Sequence, residues 1–475
     1  MLADSALILS RRQDRNTSAK MEVRARDIGS ASICGSPLGG SNRSGTHRNH
    51  QEQLTADTSR ITAQIAMRLF AFKGIRYEDE LDDRGGLAAP PYDQIDDTLA
   101  AHLRERPHQF TWLTRPIATE QSSPFESARD THGHWLRDGT LRRDRVEALY
   151  PYEILLPGGG RRVGITGLVG LEDPAGAVIR PHERTVAKTV DERLELLRTT
   201  RIDLEPILLL SDDDGSLDSL LAADVAASTV LVEHQDAYGN RHRLYRLADA
   251  ERIERYRSLL ERCPGLIADG HHRYETALQY ASERSSSLGS GTASKLAVIT
   301  SLRAPGLAIA PIHRGLPATV DLGSVADLAR SRHPLETSSG ADLTAAVAVE
   351  PQPAIVTLTG DGTAEIWTFD RDSAPDELLP SFRHLSVGWL HDVLLPRLGL
   401  PAEAARDGRI VYRSSPEQLV SAINSGDLAA GFILPPMSPQ DFSLATAHGA
   451  LLPPKSTRFL PKLVSGLVWA AVDDE

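Results

Sequence analysis

The strongest constraint on the fold is a change of composition at Met67. Residues 1–66 are rich in Ser, Gly, Asn, Arg and Gln, and the stretch 35–42 has no hydrophobic period. Such a segment cannot bury enough apolar surface to order itself. From Met67 onward, apolar residues recur with the periods of strands and helices. We therefore expect a disordered extension over 1–66 and a folded protein from Met67, which is also a candidate initiator.

The folded part is predicted to be mixed, α/β or α+β in class. Its N-terminal half is strand-rich, because pairs of strand-like runs flank the turns 157–161 and 236–240. The glycine cluster in the first turn indicates a hairpin rather than a phosphate loop, since no helix follows it. The C-terminal half alternates helices and strands, with helices predicted over 249–262, from Tyr274, and over 323–332, 388–397 and 416–425. We expect two domains, 67–248 and 249–475.

Composition excludes several classes of protein. The net charge of -12 argues against broad binding to nucleic acid or anionic lipid, which needs clustered Lys and Arg. Cys34 and Cys263 are too far apart in sequence to indicate a disulfide framework or a cysteine zinc site. No apolar run approaches the ~20 residues of a membrane span, and no secretory signal is recognisable. We expect a cytoplasmic protein whose oligomeric state the sequence leaves open.

The sharpest local signal is a strand–turn–helix junction at 266–278. A short apolar strand ends at Ala268, Asp269 and Gly270 make a turn, and a helix with one apolar face is predicted from Tyr274. The simpler interpretation is that Asp269 only caps this helix. Five consecutive polar or turn residues exceed what a cap requires, so we favour a ligand site.

His271, His272 and Arg273 follow Asp269 at this helix start. Unpaired backbone N–H groups and the positive end of the helix dipole make that position favourable for an anion such as phosphate. Zinc is a weaker alternative, because adjacent histidines project in different directions and no further ligand appears at a metal-site spacing.

A second polar segment, 180–193, begins where an apolar run at 177–179 stops. It combines His182 and Glu183, a candidate general base, with cations that suit phosphate oxygens. Those cations are Arg184, Lys188 and Arg193. A solvated charged loop leading into a helix over 191–199 is an equally simple interpretation.

A third segment, 452–462, is basic and rich in proline. Lys455, Ser456 and Thr457 look like the end of a phosphate loop, but the preceding glycines are absent and the Walker-type interpretation fails. A rigid loop that contacts a ligand and a simple C-terminal tether remain the alternatives.

Together these motifs resemble the family called domain of unknown function 1015, from about Met67 to the C-terminus. The resemblance is carried, in this order, by the segments 90–93 (Pro-Pro-Tyr-Asp), 182–185 (His-Glu-Arg-Thr), 268–274 (Ala-Asp-Gly-His-His-Arg-Tyr) and 454–457 (Pro-Lys-Ser-Thr).

The Asp-Gly-His-His-Arg loop is also similar to the signature loop of the ParB and sulfiredoxin superfamily. That superfamily includes nucleotide-binding partition proteins and an ADP-dependent free-serine kinase. The resemblance implies a ParB/sulfiredoxin-like core in which Asp269, His271, His272 and Arg273 line a nucleotide site. Sulfinate reduction is excluded, because the sulfiredoxin cysteine has no counterpart near the loop.

These features lead to a functional hypothesis: a nucleotide-dependent phosphotransferase acting on a small hydroxylated metabolite, with serine as the first candidate. Arg184, Lys188, Arg273 and Lys455 would hold phosphates of ATP or ADP, and Mg²⁺ would be the natural cofactor. The alternative is a nucleotide-binding regulatory or scaffold protein that turns over no metabolite.

The hypothesis requires the carboxylates to converge in space. Glu183 and Asp269 should open into one pocket, within roughly 10 Å of each other, with Lys455 near its rim. Either carboxylate then serves as the base that accepts the hydroxyl proton. The metal ligands, if any, are not predicted.

Deleting residues 1–66 should leave the melting temperature and ligand binding unchanged, because this composition offers too little apolar surface to pack on the fold. Thermal unfolding and calorimetry on the full chain and the truncated chain provide the measurement. A marked drop in either quantity would show that the segment packs on the folded part.

Overall fold

The computed structural model describes residues 67–78, 84–172, 178–284, 293–336, 339–447 and 449–472. They belong to a compact unit that begins at Ala66, next to the predicted boundary at Met67. The extension predicted over 1–66 lies outside the described residues.

The strands in chain order are β1 Leu69–Phe70, β2 Ile75–Tyr77, β3 Leu141–Arg143, β4 Tyr150–Leu155, β5 Arg161–Gly170, β6 Ile179–Arg180, β7 Ile202–Asp203, β8 Ile207–Ser211, β9 Val232–Gln235, β10 Arg241–Leu244, β11 Gly265–Asp269, β12 Ser294–Ser301, β13 Ala308–Ala310, β14 His313–Leu316, β15 Ser331–Pro334, β16 Ala354–Thr359, β17 Ala364–Thr368, β18 Val411–Arg413, β19 Ala430–Ile433, β20 Arg458–Leu460 and β21 Ala470–Ala471.

The α-helices are α1 Arg84–Leu87, α2 Asp97–Arg104, α3 Thr111–Thr114, α4 Pro124–Arg137, α5 Ala187–Thr200, α6 Ser216–Ala226, α7 Ala250–Leu260, α8 His271–Glu283, α9 Gly340–Val349, α10 Ser386–Gly388, α11 Leu395–Arg397, α12 Pro416–Asn424 and α13 Pro439–Thr446. Between α10 and α11 the chain forms a π-helical turn, Trp389–Leu394, and short 3-10 helices occupy Tyr92–Gln94, Leu322–Leu328, Pro380–Phe382 and Ala402–Ala405.

A nine-stranded mixed sheet organises the molecule, in the order β6-β11-β8-β12-β5-β4-β10-β9, with β1 also paired to β5. The pairs β6/β11 and β8/β12 are parallel, whereas the other pairs are antiparallel. Side chains alternate between the two faces of each strand, and in the central strands β4, β5, β8 and β12 both faces are buried. On one face Val163, Ile165 and Leu209 pack with helices α6, α7 and α8.

The other face of this sheet packs against the N-terminal helices and the C-terminal segment. Tyr152, Leu208 and Leu266 share a cluster with Phe110 of the helical region and Trp469 near the C-terminus. The segment 461–465 crosses this face: the Val464 amide donates to the Tyr152 hydroxyl at 3.2 Å, and the Ser465 hydroxyl donates to Glu205 Oε1 at 3.0 Å.

A six-stranded antiparallel sheet, in the order β15-β17-β16-β19-β14-β18, follows later in the chain. Helices α9 and α12 cover one of its faces through Leu343, Val347 and Leu419, which are buried with Val356 and Ile433. It takes its strands from residues 313–433, outside the part of the chain that carries the histidine motifs.

The structure confirms the mixed α/β class, including the hairpin of β4 and β5. In that turn, the Leu156 amide donates to the Gly160 carbonyl at 2.8 Å. Residue 248, the expected domain boundary, lies within the sequence span of the nine-stranded sheet, which takes strands from both sides of it. None of the helices in the described ranges is long and apolar enough to cross a membrane.

Three local predictions were wrong in detail. Helix α8 begins at His271 rather than Tyr274, because its first turn is polar and gives no apolar period. The helix predicted over 323–332 is a 3-10 helix that ends at Leu328 and is followed by β15, which pairs with β17. The helix predicted from 191 begins at Ala187, which places Lys188 in its first turn.

Candidate functional site

The site is built around the junction between β11 and α8. The register between β11 and β8 shifts between Ile267 and Asp269, so that Asp269 lies opposite Leu208 at the carboxyl end of the strand. Gly270 follows with φ +97° and is the N-cap residue, without a side-chain cap hydrogen bond. The chain therefore turns directly from strand to helix, and Asp269 does not act as the cap.

Asp269 is held by two cations. Its Oδ1 lies 2.5 Å from Lys462 Nζ, and its Oδ2 lies 2.9 Å from a terminal nitrogen of Arg273. Burial raises the pKa of Asp269, but Lys462 and Arg273 outweigh that effect and lower it below its usual value. Asp269 is therefore ionised at neutral pH, with both oxygens engaged.

His271 joins this junction to the second polar segment. Its Nδ1 lies 3.1 Å from Glu183 Oε1, and only 2% of its side chain is exposed. Burial raises the pKa of Glu183, but the hydrogen bond and the charge of His271 outweigh it and lower the pKa to about 2. Glu183 remains about one-third exposed, so an ionised carboxylate faces solvent next to a buried histidine.

His182 connects three segments from inside the protein. Its Nδ1 lies 2.6 Å from the Ile267 carbonyl, its Nε2 lies 2.9 Å from the Thr457 hydroxyl, and its backbone amide donates to His271 Nε2 at 3.3 Å. Burial lowers its pKa to about 3, as does the nearby His271. A neutral His182 therefore donates to the Ile267 carbonyl and accepts from Thr457, which fits a positioning residue.

Two further motif residues fix the loops around Glu183. His272 Nε2 accepts a hydrogen bond from the Val186 amide at 2.9 Å, which ties the 183–186 loop to the first turn of α8. Ser456 is buried, and its hydroxyl donates to the Pro453 carbonyl. Lys455 is exposed, has φ +59°, and lowers the pKa values of both Glu183 and His272, so its charge acts on both of these groups.

The remaining predicted cations divide into two groups. Arg184 and Lys188 are exposed on the loop and first turn beside Glu183. Arg193 instead donates to the Thr114 carbonyl at 2.9 Å, and its guanidinium stacks 4.3 Å from the centre of the Tyr92 ring. Arg193 is therefore not brought to the Glu183–His271 pair.

The Pro-Pro-Tyr-Asp motif, residues 90–93, lies close to Arg273. The Tyr92 amide donates to Glu205 Oε1 at 3.1 Å, and burial raises the pKa of the Tyr92 hydroxyl to about 12, against the opposing charges of Arg273 and Arg193. Arg273 and Glu205 also line a cleft between α5 and α8 that is open to solvent. All four motifs thus contribute to one region of the molecule.

Lys462 and Glu205 are site residues that the sequence analysis did not assign. Lys462 stands in the basic C-terminal segment, but its partner Asp269 lies 193 positions away in sequence. Nothing in a sequence window connects the two. In the described ranges, no group of three or more His, Cys, Asp or Glu side chains is arranged to hold a metal ion.

The chain belongs to the family described as Protein of unknown function (DUF1015), whose model matches residues 69–363. This confirms the family predicted from the four motifs. Comparison with curated proteins gives no significant match.

Several solved structures are similar to parts of the chain. A conserved hypothetical protein from Pyrococcus furiosus is 13% identical, covering 61% of this chain and 91% of its own, with a TM-score of 0.32. A free serine kinase in complex with AMP is 14% identical, with coverages of 61% and 89% and a TM-score of 0.32. SbnI with a C-terminal truncation, from Staphylococcus aureus, is 12% identical, with coverages of 63% and 85% and a TM-score of 0.34. At these scores the likenesses do not bear on function.

The Glu183–His271 pair predicts a specific pH dependence of stability. The pKa of Glu183 falls from its usual 4.5 to about 2 in the folded protein, so its contribution is complete above about pH 4.5 and is lost as pH falls toward 2. The stability lost by Glu183→Gln should therefore shrink between pH 6 and pH 3 in urea unfolding.

Glu192→Gln is the matched control, because Glu192 is exposed on the nearby helix α5. Its curve should run parallel to that of the wild type over the same pH range. If the Glu183→Gln curve also ran parallel to the wild type, the contact between Glu183 and His271 would contribute nothing to the folded state.

Proposed function

We propose that this protein is a nucleotide-dependent phosphotransferase that acts on a small hydroxylated metabolite, with serine as the first acceptor to test. The observation that carries the proposal is an ionised, partly exposed Glu183 beside His271, next to the buried Asp269 with its two cations. Phosphoryl transfer depends mainly on positioning and on charge neutralisation, and both requirements match this arrangement.

Glu183 is the better candidate for the base. Both Asp269 oxygens are engaged by Lys462 and Arg273, so this carboxylate fixes cations rather than accepting a proton. Glu183 is ionised and keeps about a third of its side chain exposed, which leaves it accessible to an acceptor hydroxyl. In the proposal Glu183 takes the hydroxyl proton as the acceptor oxygen attacks the terminal phosphorus and the nucleotide leaves.

Phosphate binding is assigned to the start of α8 and the rim around it. This helix has 13 residues, so its first turn carries the unpaired N–H groups and the dipole that favour an anion. Lys455 and Arg184 are exposed cations on two loops beside Glu183 and would neutralise phosphate oxygens. His182 and His272 hold those loops in place through hydrogen bonds to Thr457 and to the Val186 amide.

The carboxylates of the cluster are poor candidates for Mg²⁺ ligands. Proteins commonly hold Mg²⁺ by one or two carboxylates together with substrate phosphates and water. Asp269 is occupied by its cations, and Glu183 is assigned to the acceptor proton. The nucleotide phosphates and water would therefore hold the ion, which would neutralise phosphate charge.

The test is direct product detection. Purified protein is incubated with ATP or ADP, Mg²⁺ and a panel of amino acids and sugars, and phosphorylated product is sought by mass spectrometry. Glu183→Gln should lower kcat by about 10²–10⁴-fold, the usual contribution of a general base, and leave the nucleotide Kd nearly unchanged. Glu192→Gln, on the exposed face of α5, should retain wild-type kcat.

Two results would contradict the proposal. If no acceptor in the panel is phosphorylated while nucleotide binds, the protein is a nucleotide-binding regulatory protein without turnover. If Glu183→Gln retains wild-type kcat, another group accepts the proton and the assignment of the base fails.

A further inference from the structure

Arg162 is a buried arginine whose charge has no direct partner. It lies in β5, only 2% exposed, and neither of its two terminal guanidinium nitrogens has a hydrogen-bond partner among the described residues. Other buried arginines differ in this respect. Arg76 bonds to Asp144 at 3.2 Å, and Arg314 bonds to His391 at 2.9 Å and to the Pro454 carbonyl at 3.1 Å.

The sheet places Arg162 on the same face as the candidate site. Arg162 pairs with Ile154 of β4, and Ile154 shares a core cluster with Leu208 of β8. Directly opposed residues point to the same face, and Asp269 lies opposite Leu208. The segment that carries Lys462 also crosses this face, through the bond from Val464 to the Tyr152 hydroxyl.

Asp269 interacts with more than one cation. Asp269 is the acidic group whose charge acts on Arg162, yet both of its oxygens are already bonded to Lys462 and Arg273. Burial lowers the pKa of Arg162 to about 10, opposed by Tyr152 and Asp269, so the guanidinium is still charged at neutral pH. Arg162, Lys462 and Arg273 therefore all interact with Asp269, and Arg273 is also acted on by Glu205 and Asp93.

A buried guanidinium without hydrogen bonds destabilises the fold, unless a ligand supplies the acceptors. A phosphate group matches its planar set of donors, which bind two phosphate oxygens at once. The side chains of Asp269 and Lys462 are 14% and 20% exposed, so part of each reaches solvent on that side. The Arg162 guanidinium lies deeper than these partly exposed side chains, which suits the terminal phosphate of a polyphosphate chain.

We propose that Arg162, together with Lys462, binds a phosphate group of the nucleotide at the Asp269 side of the site. The inference rests on the proposed function and adds to it an inner phosphate position, distinct from the rim cations Lys455 and Arg184. Arg162 then contributes to ligand binding and lowers the stability of the ligand-free fold.

The experiment compares Arg162→Met with two controls, in thermal unfolding and in calorimetric titration with pyrophosphate and with ADP. Arg161→Met is the matched binding control, because Arg161 is the neighbouring residue on β5 and is exposed. Arg314→Met is the stability control, because Arg314 is buried with its hydrogen bonds made.

Arg162→Met should melt at or above the wild-type temperature, since it removes an unpartnered buried charge, whereas Arg314→Met should melt lower. It should also bind pyrophosphate and ADP at least about 10-fold more weakly, and Arg162→Lys should bind with intermediate affinity. Arg161→Met should bind as the wild type does.

A melting temperature of Arg162→Met as low as that of Arg314→Met would overturn the inference and make Arg162 a structural residue. Unchanged pyrophosphate affinity in Arg162→Met, or no pyrophosphate and ADP binding by the wild type, would overturn it as well. The two proposals fail separately. Pyrophosphate binding that depends on Arg162, without product from any acceptor, would leave the inference standing and refute the transferase. Equal product formation by Arg162→Met and the wild type would refute the inference and leave the transferase standing.

Discussion

The arrangement of the site depends on the ion pairs of Asp269. A carboxylate buried at the end of a strand is costly unless it is paired, and Lys462 and Arg273 provide that pairing from the C-terminal segment and from α8. The same contact holds the segment 461–465 across the sheet and fixes the first turn of α8. His271 is positioned by that turn, and through His271 so is Glu183.

The three polar segments are linked mainly by histidines. His182 bonds to β11 and to the Lys455 loop, His271 bonds to Glu183, and His272 bonds to the backbone of the Glu183 loop. Burial keeps His182 neutral, which suits a ring that donates on one side and accepts on the other. In the proposed function, the chemistry therefore falls to Glu183, the backbone N–H groups at the start of α8 and the surrounding cations.

Sequence patterns predicted the parts of this structure that depend on local periodicity. The hairpin of β4 and β5 and the strand β11 followed from apolar alternation, and the polar clusters at element ends marked the segments of Glu183 and Asp269. The start of α8 was placed too late, because its first turn offers no apolar residue. The roles of Arg162 and Lys462 were not predicted. Arg162 follows another arginine and Lys462 lies in a proline-rich segment, so in the sequence both look like exposed charges. Only the strand register places Arg162 in the sheet opposite Ile154, and only the folded structure brings Lys462 to Asp269, 193 positions away.

The central claim is that the carboxylates of Glu183 and Asp269 flank a nucleotide phosphate. A crystal structure of the full chain with ADP measures this most directly. We predict phosphate oxygens within hydrogen-bond distance of the α8 first turn and of Lys462, with Glu183 facing the terminal phosphate. Nucleotide bound instead in the cleft between α5 and α8, with its phosphates on Arg193 and away from Glu183, would contradict the proposed function.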